Sequence, residues 1–332
     1  MIKSIIKFCS KISKDELLVQ GAGGNVSYKI NDNEMLIKAS GTWLEDASKK
    51  NIFVNVDLNK LMENINNNNF NKTPVILSKS KLKPSIETYL HAFFKHKVVV
   101  HLHAIEILSH LVRSNYELLF NKVLSEFKWI NIPYFTPGTK LVKALKEKIG
   151  SESFDIIFLQ NHGVVIGGKN IHDIEKILIS INKILKTNPI KINFDLRRLK
   201  SEFLKEKTKY KLIFNEKINA IVFDNYIFKN LESFWSLYPD HVVFLGPIPY
   251  KFNSINDFLN NNYNPAIIFI KKVGVFIESN LINRSKIDQL NCFANVLLRQ
   301  EKNFNNLNTL SKSNINELIN WDAEEYRIAL SK

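Results

Sequence analysis

Cysteine is scarce in this 332-residue sequence, which contains only Cys9 and Cys292, far apart along the chain. A disulfide-stabilised secreted protein needs several cysteines, and a thiolate zinc module needs closely spaced pairs such as Cys-x-x-Cys. Neither pattern occurs. The scarcity therefore excludes a disulfide framework and a thiolate zinc module, and it predicts a protein of the reducing cytoplasm.

Long hydrophobic runs are also missing. No apolar stretch reaches the roughly 18–20 residues that are needed to span a bilayer. The N-terminal segment MIKSIIKFCSKIS has isoleucines at helical spacing interrupted by lysines, and it lacks the continuous apolar core and cleavage site of a signal peptide. We therefore expect neither a membrane segment nor a signal peptide.

Acidic residues are outnumbered, because 46 Lys and Arg against 32 Asp and Glu give a formal net charge of +14. Such an excess can indicate binding of nucleic acid or of an anionic small molecule. The lysines are scattered, without a run of five or six and without an arginine-rich arm. This distribution favours an anionic small-molecule substrate, and we predict no nucleic-acid partner.

Apolar periodicity divides the chain into two parts. The first part alternates short predicted strands (NVSYKI, EMLIKAS, KVVVHLHA and DIIFLQNHGVVI) with predicted helices near 1–20, 84–94 and 171–186, and the polar ENINNNNFNK (63–72) predicts a surface loop. After a Lys-rich helix near 196–212, the second part has strand-like HVVFLGPIPY, PAIIFIKK and VGVFIES, followed by predicted helices near 285–301 and 311–330. We predict one domain over 1–205 and a C-terminal α/β extension of unknown role over 215–332.

Two histidines end the predicted strand KVVVHLHA (97–104). Side chains alternate along a strand, so His101 and His103 point the same way and Leu102 points to the opposite face. Two imidazoles at the end of a buried strand suit a shared metal ion. The alternative is a pair of ordinary histidines that meet hydrogen-bonding partners in the core or at the surface.

A third candidate ligand is His162, which lies beside a glycine in the predicted sharp turn of LQNHGVVIGG. Three imidazoles with open coordination positions are typical of a catalytic metal site. Zn²⁺ suits such a site best, while Mn²⁺, Co²⁺ and Fe²⁺ stay open. His91 is a rival ligand because it lies four residues after Glu87 on one helical face, but it can equally be a packed, hydrogen-bonded histidine.

Glu87 falls in the first turn of the helix predicted before the histidine strand. A carboxylate there can simply complement the helix dipole. Beside a metal ion it can instead be a ligand that moves aside, or a general base. The sequence leaves these alternatives open.

Small residues supply the remaining candidates. GAGGN (21–25) precedes a predicted strand rather than a helix, so it does not match a dinucleotide-binding fingerprint. Its backbone around Gly24 can still form an anion-binding nest, with Asn25 as a side-chain donor. Ser40 and Gly41 offer a second small turn, and Ser85 places a hydroxyl at a predicted helix start. Together they predict an anionic substrate beside the metal.

The order of these motifs resembles the class II aldolase/adducin family over roughly residues 8–190, through QGAGGNVSYK, KASG, PSIETYLHAFF, VVVHLHA, IPYFTPGT and QNHGVVIGG. That family includes fuculose- and rhamnulose-phosphate aldolases and ribulose-phosphate 4-epimerases. The variants here resemble in particular a sugar-aldolase branch that includes aldolase domains fused to short-chain dehydrogenases, although we expect no dehydrogenase in this chain. A looser resemblance to the C-terminal extension of that branch comes from YPDHVVFLGP, VGVFI and INWDAEEYR.

The resemblance implies a three-layer α/β/α fold with a central, mostly antiparallel sheet, followed by a smaller C-terminal α/β extension. It implies a homo-oligomer, commonly a tetramer, with sites at subunit boundaries. It implies Zn²⁺ bound by His101, His103 and His162, and Glu87 as the catalytic acid or base. Tyr134 in IPYFTPGT matches a tyrosine that donates a proton across a subunit boundary in fuculose-type enzymes.

The resemblance also places Asn25, Ser40, Gly41 and Ser85 where phosphate-aldolases hold the substrate phosphate. Two hydroxyls of that cradle are missing, because Ala22 stands where those enzymes have a threonine and Ile86 where they have a second serine. The anionic group of the substrate is then held differently, or the substrate is not phosphorylated. Charge for the anion could come from one of two lysines, at positions 29 and 38.

The implied activity is that of a carbon–carbon lyase that performs a retro-aldol cleavage of a ketose or sugar acid, through a zinc-stabilised enediolate. An epimerase or a β-keto-acid decarboxylase can use the same kind of site. A non-catalytic, adducin-like binding module is a further alternative. Such a module would normally lack the metal ligands, whereas all three histidines and Glu87 are present here.

Overall fold

The computed structural model describes residues 1–150, 152–203, 209–262, 264–301 and 303–330. Its helices are α1 Ile2–Ile12, α2 Leu58–Asn66, α3 Thr88–Phe93, α4 Ile105–Leu111, α5 Tyr116–Val123, α6 Thr139–Ile149, α7 Ile171–Ile184, α8 Leu196–Phe203, α9 Glu216–Phe223, α10 Asn225–Lys229, α11 Pro239–Leu245, α12 Ile255–Leu259, α13 Arg284–Leu298, α14 Lys312–Ile319 and α15 Asp322–Leu330. Its strands are β1 Asn25–Lys29, β2 Glu34–Lys38, β3 Phe53–Asp57, β4 Val98–Leu102, β5 Trp129–Ile132, β6 Ile156–Leu159, β7 Gly163–Gly168, β8 Tyr210–Leu212, β9 Lys251–Phe252, β10 Ile267–Ile270 and β11 Gly274–Glu278.

A seven-stranded sheet forms the centre of the first part, in the order β3-β2-β1-β4-β7-β6-β5. Neighbouring strands are antiparallel except for β5 and β6, which are parallel. The middle strand, β4, is buried along its whole length, and its register places His101 opposite Asn25 of β1. The histidine strand is therefore fully buried at the centre of the sheet.

Helices cover both faces of this sheet. Val98, Val100 and Leu102 of β4 pack in the same apolar cluster as residues of α1, α4, α5 and α7. Val99 faces the other way and belongs to a cluster that includes residues of α2, α3 and α6. This alternation buries every side chain of β4, as expected for a strand covered on both faces. The arrangement confirms the predicted three-layer α/β/α fold with a mostly antiparallel sheet.

The second part contains a four-stranded sheet in the order β8-β11-β10-β9. Residues of α9 and α13 pack on one of its faces, in a cluster that also takes Ile105, Leu108 and Val112 from α4 and its C-terminal end. Helix α4 therefore contributes to the cores of both parts. The C-terminal α/β extension is present as predicted. The boundary at 205–215 stays a prediction, and residues 205–208 within it lie outside the described residues.

One predicted strand is wrong. HVVFLGPIPY begins inside helix α11, which runs from Pro239 to Leu245 and is followed by Gly246 at a φ of 88°. Proline fits the first turn of a helix because its missing N–H has no helical partner there, and a glycine just after the end is equally typical. The apolar run HVVFL is too short for periodicity to separate a helix from a strand.

Several predicted helix boundaries also move. Helix α1 ends at Ile12 rather than near residue 20, and α2 extends into the predicted loop 63–72 as far as Asn66. The Lys-rich helix predicted near 196–212 is described over Leu196–Phe203, and its predicted end is wrong because Tyr210–Leu212 form β8. The predicted helix 311–330 is two helices, α14 and α15. Polar stretches such as 63–72 carry too little apolar periodicity to fix such boundaries.

The structure also describes the two cysteines and the apolar character of the helices. Cys9 and Cys292 are both free and buried, and burial raises the pKa of each thiol to about 12. Among the described residues, no helix combines the length and the apolar character that a membrane crossing requires.

Candidate functional site

Three histidine rings meet at the end of the central strand. His101 is the last residue but one of β4, and His103 directly follows that strand. His162 lies in the turn between β6 and β7. Their ring centroids are 4.8 to 5.1 Å apart. One ring nitrogen from each residue lies within 4.8 Å of the other two. His101 and His103 thus share a face as predicted, and the structure brings His162 to them.

The β6–β7 turn that carries His162 depends on two neighbours. Asn161 has a φ of 54°, and its side-chain amide donates to the carbonyls of Leu237 (2.8 Å) and Asn308 (2.6 Å). A Cβ on Gly163 would lie 2.4 Å from the carbonyl oxygen of Leu102. Only glycine lets the turn approach β4 this closely, so the Asn-His-Gly sequence sets the position of His162.

The outer nitrogens of two rings are held by acceptors. His101 Nδ1 lies 3.1 Å from the carbonyl oxygen of Val164, and His103 Nδ1 lies 3.2 Å from Oδ2 of Asp240. The inner nitrogens, Nε2 of His101 and Nε2 of His103, are 3.1 Å apart. Burial lowers the pKa of His101 to about 4, so its ring is neutral near pH 7. A neutral ring with its proton on Nδ1 offers the Nε2 lone pair to a metal.

Glu87 faces the same point from another element. It is the residue directly before α3, one position earlier than the predicted first turn. Its Oε1 lies 3.5 Å from Nε2 of His101 and 3.5 Å from Nε2 of His162. Its Oε2 accepts a hydrogen bond of 2.5 Å from Nδ2 of Asn25. Oε1 is buried and makes no hydrogen bond with any described residue.

This donor set fits a divalent metal ion. A buried carboxylate oxygen without a hydrogen-bond partner is costly, and a cation beside it removes that cost. Three imidazole nitrogens converge near this oxygen, and such a set is typical of catalytic zinc sites. His101, His103 and His162 would hold the ion, with Glu87 beside it.

The rival ligand His91 lies elsewhere. A hydrogen bond of 2.8 Å joins its Nδ1 to Oγ of Ser27, and the side chain is completely buried. It does not belong to the group of potential ligands found in the described part of the chain. The structure therefore corresponds to the alternative of a packed, hydrogen-bonded histidine.

A pocket with an empty volume of about 440 Å³ opens beside the histidines. All five predicted anion-binding residues line it: Gly24, Asn25, Ser40, Gly41 and Ser85. The two glycines have φ values of 73° and 72°, a left-handed conformation that glycine adopts without strain. The structure thus brings the small-residue motifs of three separate segments to one pocket next to the candidate ligands.

Residues 3–188 match the family described as "Class II Aldolase and Adducin N-terminal domain". That match covers more than half of the 332 residues. The chain belongs to the class II aldolase and adducin family.

A curated relative of this class II aldolase family member matches about half of the chain. A Bacillus subtilis protein described as "Uncharacterized oxidoreductase YuxG" is 24% identical over an alignment of 197 residues, which covers 54% of this chain and 28% of that protein. The chain therefore spans little more than a quarter of the length of that relative.

Solved structures match a similar share of the chain. An N-terminal class II aldolase domain from Thermoplasma acidophilum has a TM-score of 0.48 and 25% identity, covering 56% of this chain and 92% of that one. A sugar-phosphate aldolase from Thermotoga maritima has a TM-score of 0.44 and 19% identity, covering 56% and 91%.

The two candidate lysines of this class II aldolase family member differ in position. Lys38 lines the pocket, is 2% exposed, and donates from Nζ to the carbonyl oxygen of Ala22 at 2.9 Å. Lys29 donates to the backbone carbonyls of Ala92 (3.1 Å) and Phe94, outside the described pocket lining. Of the two, Lys38 is the one that the structure places with the small-residue motifs.

Tyr134 is not part of the described pocket lining. Its side chain packs against Val242, Leu310 and Leu318 of the C-terminal part. Its hydroxyl is buried, and this burial raises its pKa above the ordinary value for tyrosine. Its role as a proton donor stays a prediction from the family resemblance.

Two acidic residues of the pocket were missed from the sequence. Asp240 at the start of α11 and Glu324 in α15 line the pocket, although both belong to the C-terminal extension. Both are almost fully buried, with exposed fractions of 1% and 2%. The available signal was the Pro239-Asp240 pair, which is typical of a helix start. No pattern in the sequence indicates that this helix faces the histidines.

Proposed function

We propose that this chain is a metal-dependent class II aldolase that cleaves a ketose or sugar-acid substrate by a retro-aldol reaction. The observation that carries this proposal is the convergence of His101, His103 and His162 beside a buried carboxylate oxygen. Oε1 of Glu87 lies 3.5 Å from two of the inner ring nitrogens and lacks a hydrogen bond to the described residues. Family membership supports the same chemistry.

The three histidines would hold a divalent ion, with Zn²⁺ as the first choice and Mn²⁺ or Co²⁺ as alternatives. When bound, such an ion supplies a Lewis acid that stabilises the negative charge arising when the carbon–carbon bond breaks. Neutral imidazoles suit this task because three carboxylates would cancel the charge of the ion.

Glu87 is the proposed general acid or base. In a retro-aldol cleavage the hydroxyl next to the scissile bond loses its proton, the bond breaks to give an aldehyde, and the remaining enediolate carbon takes up a proton. Asn25 holds one oxygen of the carboxylate, which leaves Oε1 directed toward the histidines and available for proton transfer. A positioned acid or base of this kind contributes roughly 10²–10⁴-fold to rate. The second proton transfer, attributed by resemblance to Tyr134, stays a prediction.

The pocket supports an anionic substrate. Two backbone segments with glycines in the left-handed conformation line one pocket with Ser40, Ser85 and Lys38. Backbone N–H groups, hydroxyls and a buried cation are the groups that bind phosphate or carboxylate. Ala22 and Ile86 also line the pocket, without hydroxyls, so we propose that Lys38 contributes to holding the anion.

We also propose a cytoplasmic homo-oligomer, on the basis of the scarce, buried thiols and of the family resemblance. Light scattering coupled to size-exclusion chromatography measures the oligomeric state directly. A fully active monomer would overturn the proposed assembly and any role of Tyr134 across a subunit boundary, while leaving the metal site untouched.

The deciding experiment measures metal content and product formation on the same preparations. The protein is purified without chelators or a histidine tag, and wild type is compared with His101→Ala and with the exposed control His172→Ala. We expect about one zinc per chain in wild type and the control, and none in His101→Ala. Absence of metal under zinc-replete conditions would overturn the proposal and favour a non-catalytic binding module.

Products then identify the reaction. Ketose phosphates and sugar acids are screened with the zinc-loaded protein for release of an aldehyde. Aldehyde formation that disappears on chelation and returns with Zn²⁺ supports the aldolase. A stereoisomer without aldehyde would indicate an epimerase, and CO₂ from a β-keto acid would indicate a decarboxylase.

A further inference from the structure

The C-terminal extension contacts one of the candidate metal ligands. Oδ2 of Asp240 lies 3.2 Å from Nδ1 of His103, on the side of the ring away from the other histidines. The Asp240 side chain is 1% exposed and His103 is 7% exposed. A carboxylate this close to a ring nitrogen accepts a hydrogen bond when that nitrogen carries a proton.

We propose that Asp240 is a positioning residue for the metal centre, acting through His103. A histidine that binds a metal through Nε2 carries its remaining proton on Nδ1, and an acceptor there fixes both the tautomer and the ring orientation. A negatively charged acceptor also makes the ring a stronger donor toward the metal. This inference rests on the proposed function, because it requires the three histidines to bind a metal.

The neighbouring ligand provides an internal comparison. His101 Nδ1 faces the carbonyl oxygen of Val164, which is a neutral acceptor on the adjacent strand. That bond fixes the orientation of His101 but adds no charge. The carboxylate of Asp240 therefore differs in kind from the backbone acceptor, and His103 is the ligand whose donor strength the C-terminal part controls.

Asp240 is itself held in place. Nε2 of Gln289 in α13 donates to Oδ2 of Asp240 at 3.2 Å. Helices α11 and α13 pack against each other, so the carboxylate is supported from a second element. The chain of contacts runs from Gln289 through Asp240 to His103, and all three side chains are buried. Such support is what keeps an outer carboxylate aligned with a ligand ring.

The charge and the shape of Asp240 can be separated by substitution. Asp240→Asn keeps the size and an acceptor oxygen but removes the negative charge, whereas Asp240→Ala removes the acceptor altogether. Asp288→Asn is the matched control, because Asp288 lies in α13 beside Gln289 and its Oδ2 accepts from the backbone N–H of Gly21 at 3.1 Å, not from a histidine. Equal thermal unfolding midpoints establish that a variant is folded.

The experiment measures metal affinity and the metal spectrum of each full-length variant. Zn²⁺ affinity is obtained by competition with a chromophoric chelator, and Co²⁺ substitution reports ligand geometry through its visible absorption bands. We expect Asp240→Ala to bind Zn²⁺ about 10–100-fold more weakly, with Asp240→Asn between it and wild type and shifted Co²⁺ bands in both. Asp288→Asn should match wild type in both measurements.

A second measurement needs no variant. In the zinc-loaded wild-type protein, ¹⁵N-edited NMR of the histidine rings should show His103 protonated at Nδ1, with the Nδ1 proton shifted downfield by its bond to Asp240. A His103 ring protonated at Nε2, or wild-type affinity and spectrum in Asp240→Asn, would overturn the positioning role while leaving the proposed function intact. Failure of the wild type to bind any metal would overturn both.

Discussion

The side-chain amide of Asn25 donates a hydrogen bond to Glu87, with 2.5 Å between Nδ2 and Oε2. Asn25 is the first residue of β1, and Glu87 directly precedes α3. A strand residue therefore sets the orientation of the candidate catalytic group. The other carboxylate oxygen lies 3.5 Å from Nε2 of both His101 and His162. The carboxylate is thus divided into a held oxygen and an available one.

Replacing the carboxylate of Glu87 tests its role. Glu87→Gln keeps the size of the side chain but removes the group that accepts and returns a proton. We expect metal content to stay at the wild-type level while the rate of aldehyde release falls roughly 10²–10⁴-fold. Metal analysis and steady-state kinetics on one preparation check both. An equal loss of metal would show that Glu87 is mainly a ligand.

Removing the hydrogen bond from Asn25 tests whether it orients the Glu87 carboxylate. Asn25→Ala leaves Oε2 without this donor, so the carboxylate loses its fixed orientation. We expect kcat to fall at least tenfold with metal content unchanged, because one hydrogen bond to a charged group contributes ~1.5–3 kcal/mol. Asn31→Ala, at an exposed turn after β1, is the control. Unchanged kcat in Asn25→Ala would contradict the orienting role.

The glycine of the β6–β7 turn should control metal binding without being a ligand. Gly163→Ala places a Cβ 2.4 Å from the carbonyl oxygen of Leu102 and 3.0 Å from the His103 ring. We expect the turn to move away from β4 and metal content to fall severalfold or more. Gly167→Ala is a steric control on the same strand. Its Cβ would lie 2.4 Å from the His96 ring, which is not part of the candidate site. Equal metal content in the two variants would contradict this expectation.

Charge in the anion pocket is tested with Lys38→Met. Methionine preserves much of the apolar stem and removes the ammonium group of this pocket-lining residue. For an anionic substrate we expect KM to rise about 10–100-fold, in keeping with ~1.5–3 kcal/mol for a hydrogen bond to a charged group. Lys29→Met is the control, since Lys29 is half-buried and binds backbone carbonyls elsewhere. A KM that changes equally in both variants would contradict the proposed role of Lys38 in anion binding.

Acid should destabilise the fold through His241. Burial lowers its pKa to about 3, and its Nδ1 accepts a hydrogen bond of 3.3 Å from the backbone N–H of Leu237. Because the folded pKa lies below the unfolded value of about 6.5, the neutral ring contributes its full stability above pH 6.5 and loses it as the pH falls toward 3. The resulting loss in the free energy of unfolding is at most about 4–5 kcal/mol.

Urea unfolding of chelator-treated protein between pH 4.5 and 8 measures this dependence. We expect His241→Phe to reduce the slope of unfolding free energy against pH below 6.5, even though the variant loses some stability at every pH by leaving the Leu237 N–H without its acceptor. The exposed control His172→Ala should keep the wild-type slope. A slope that His241→Phe leaves unchanged would assign the acid sensitivity to other buried groups.

Much of the site could be predicted from local sequence because its parts follow simple backbone geometry. Strand alternation alone placed His101 and His103 on one face, and the Asn-His-Gly turn between apolar runs located His162. The glycine-rich segment around Gly24 and the small turn at Gly41 are also local features, and both glycines have positive φ values. These features depend on a few consecutive residues, so the sequence contains the information.

The contribution of the C-terminal part could not be predicted in this way. Asp240 lies near His103 in a structure where α11 packs against α13, and no periodicity reports which distant segments meet in this way. The apolar run after Asp240 also favours a strand by its pattern. The sequence therefore does not show that Asp240 lies in the first turn of a helix. The same limit applies to Tyr134, whose burial against Val242 depends on the docking of the second part.

The position of Asp240 late in the chain has a consequence for the order of assembly. During synthesis His101, His103 and His162 leave the ribosome well before Asp240, so the nascent chain can gather its ligands while the outer carboxylate is still absent. Because metal affinity and folding are coupled, the ion would be held loosely at first and retained firmly once the C-terminal part has docked. Firm retention of the metal would then depend on the docking of α11, the helix that carries Asp240, beside His103.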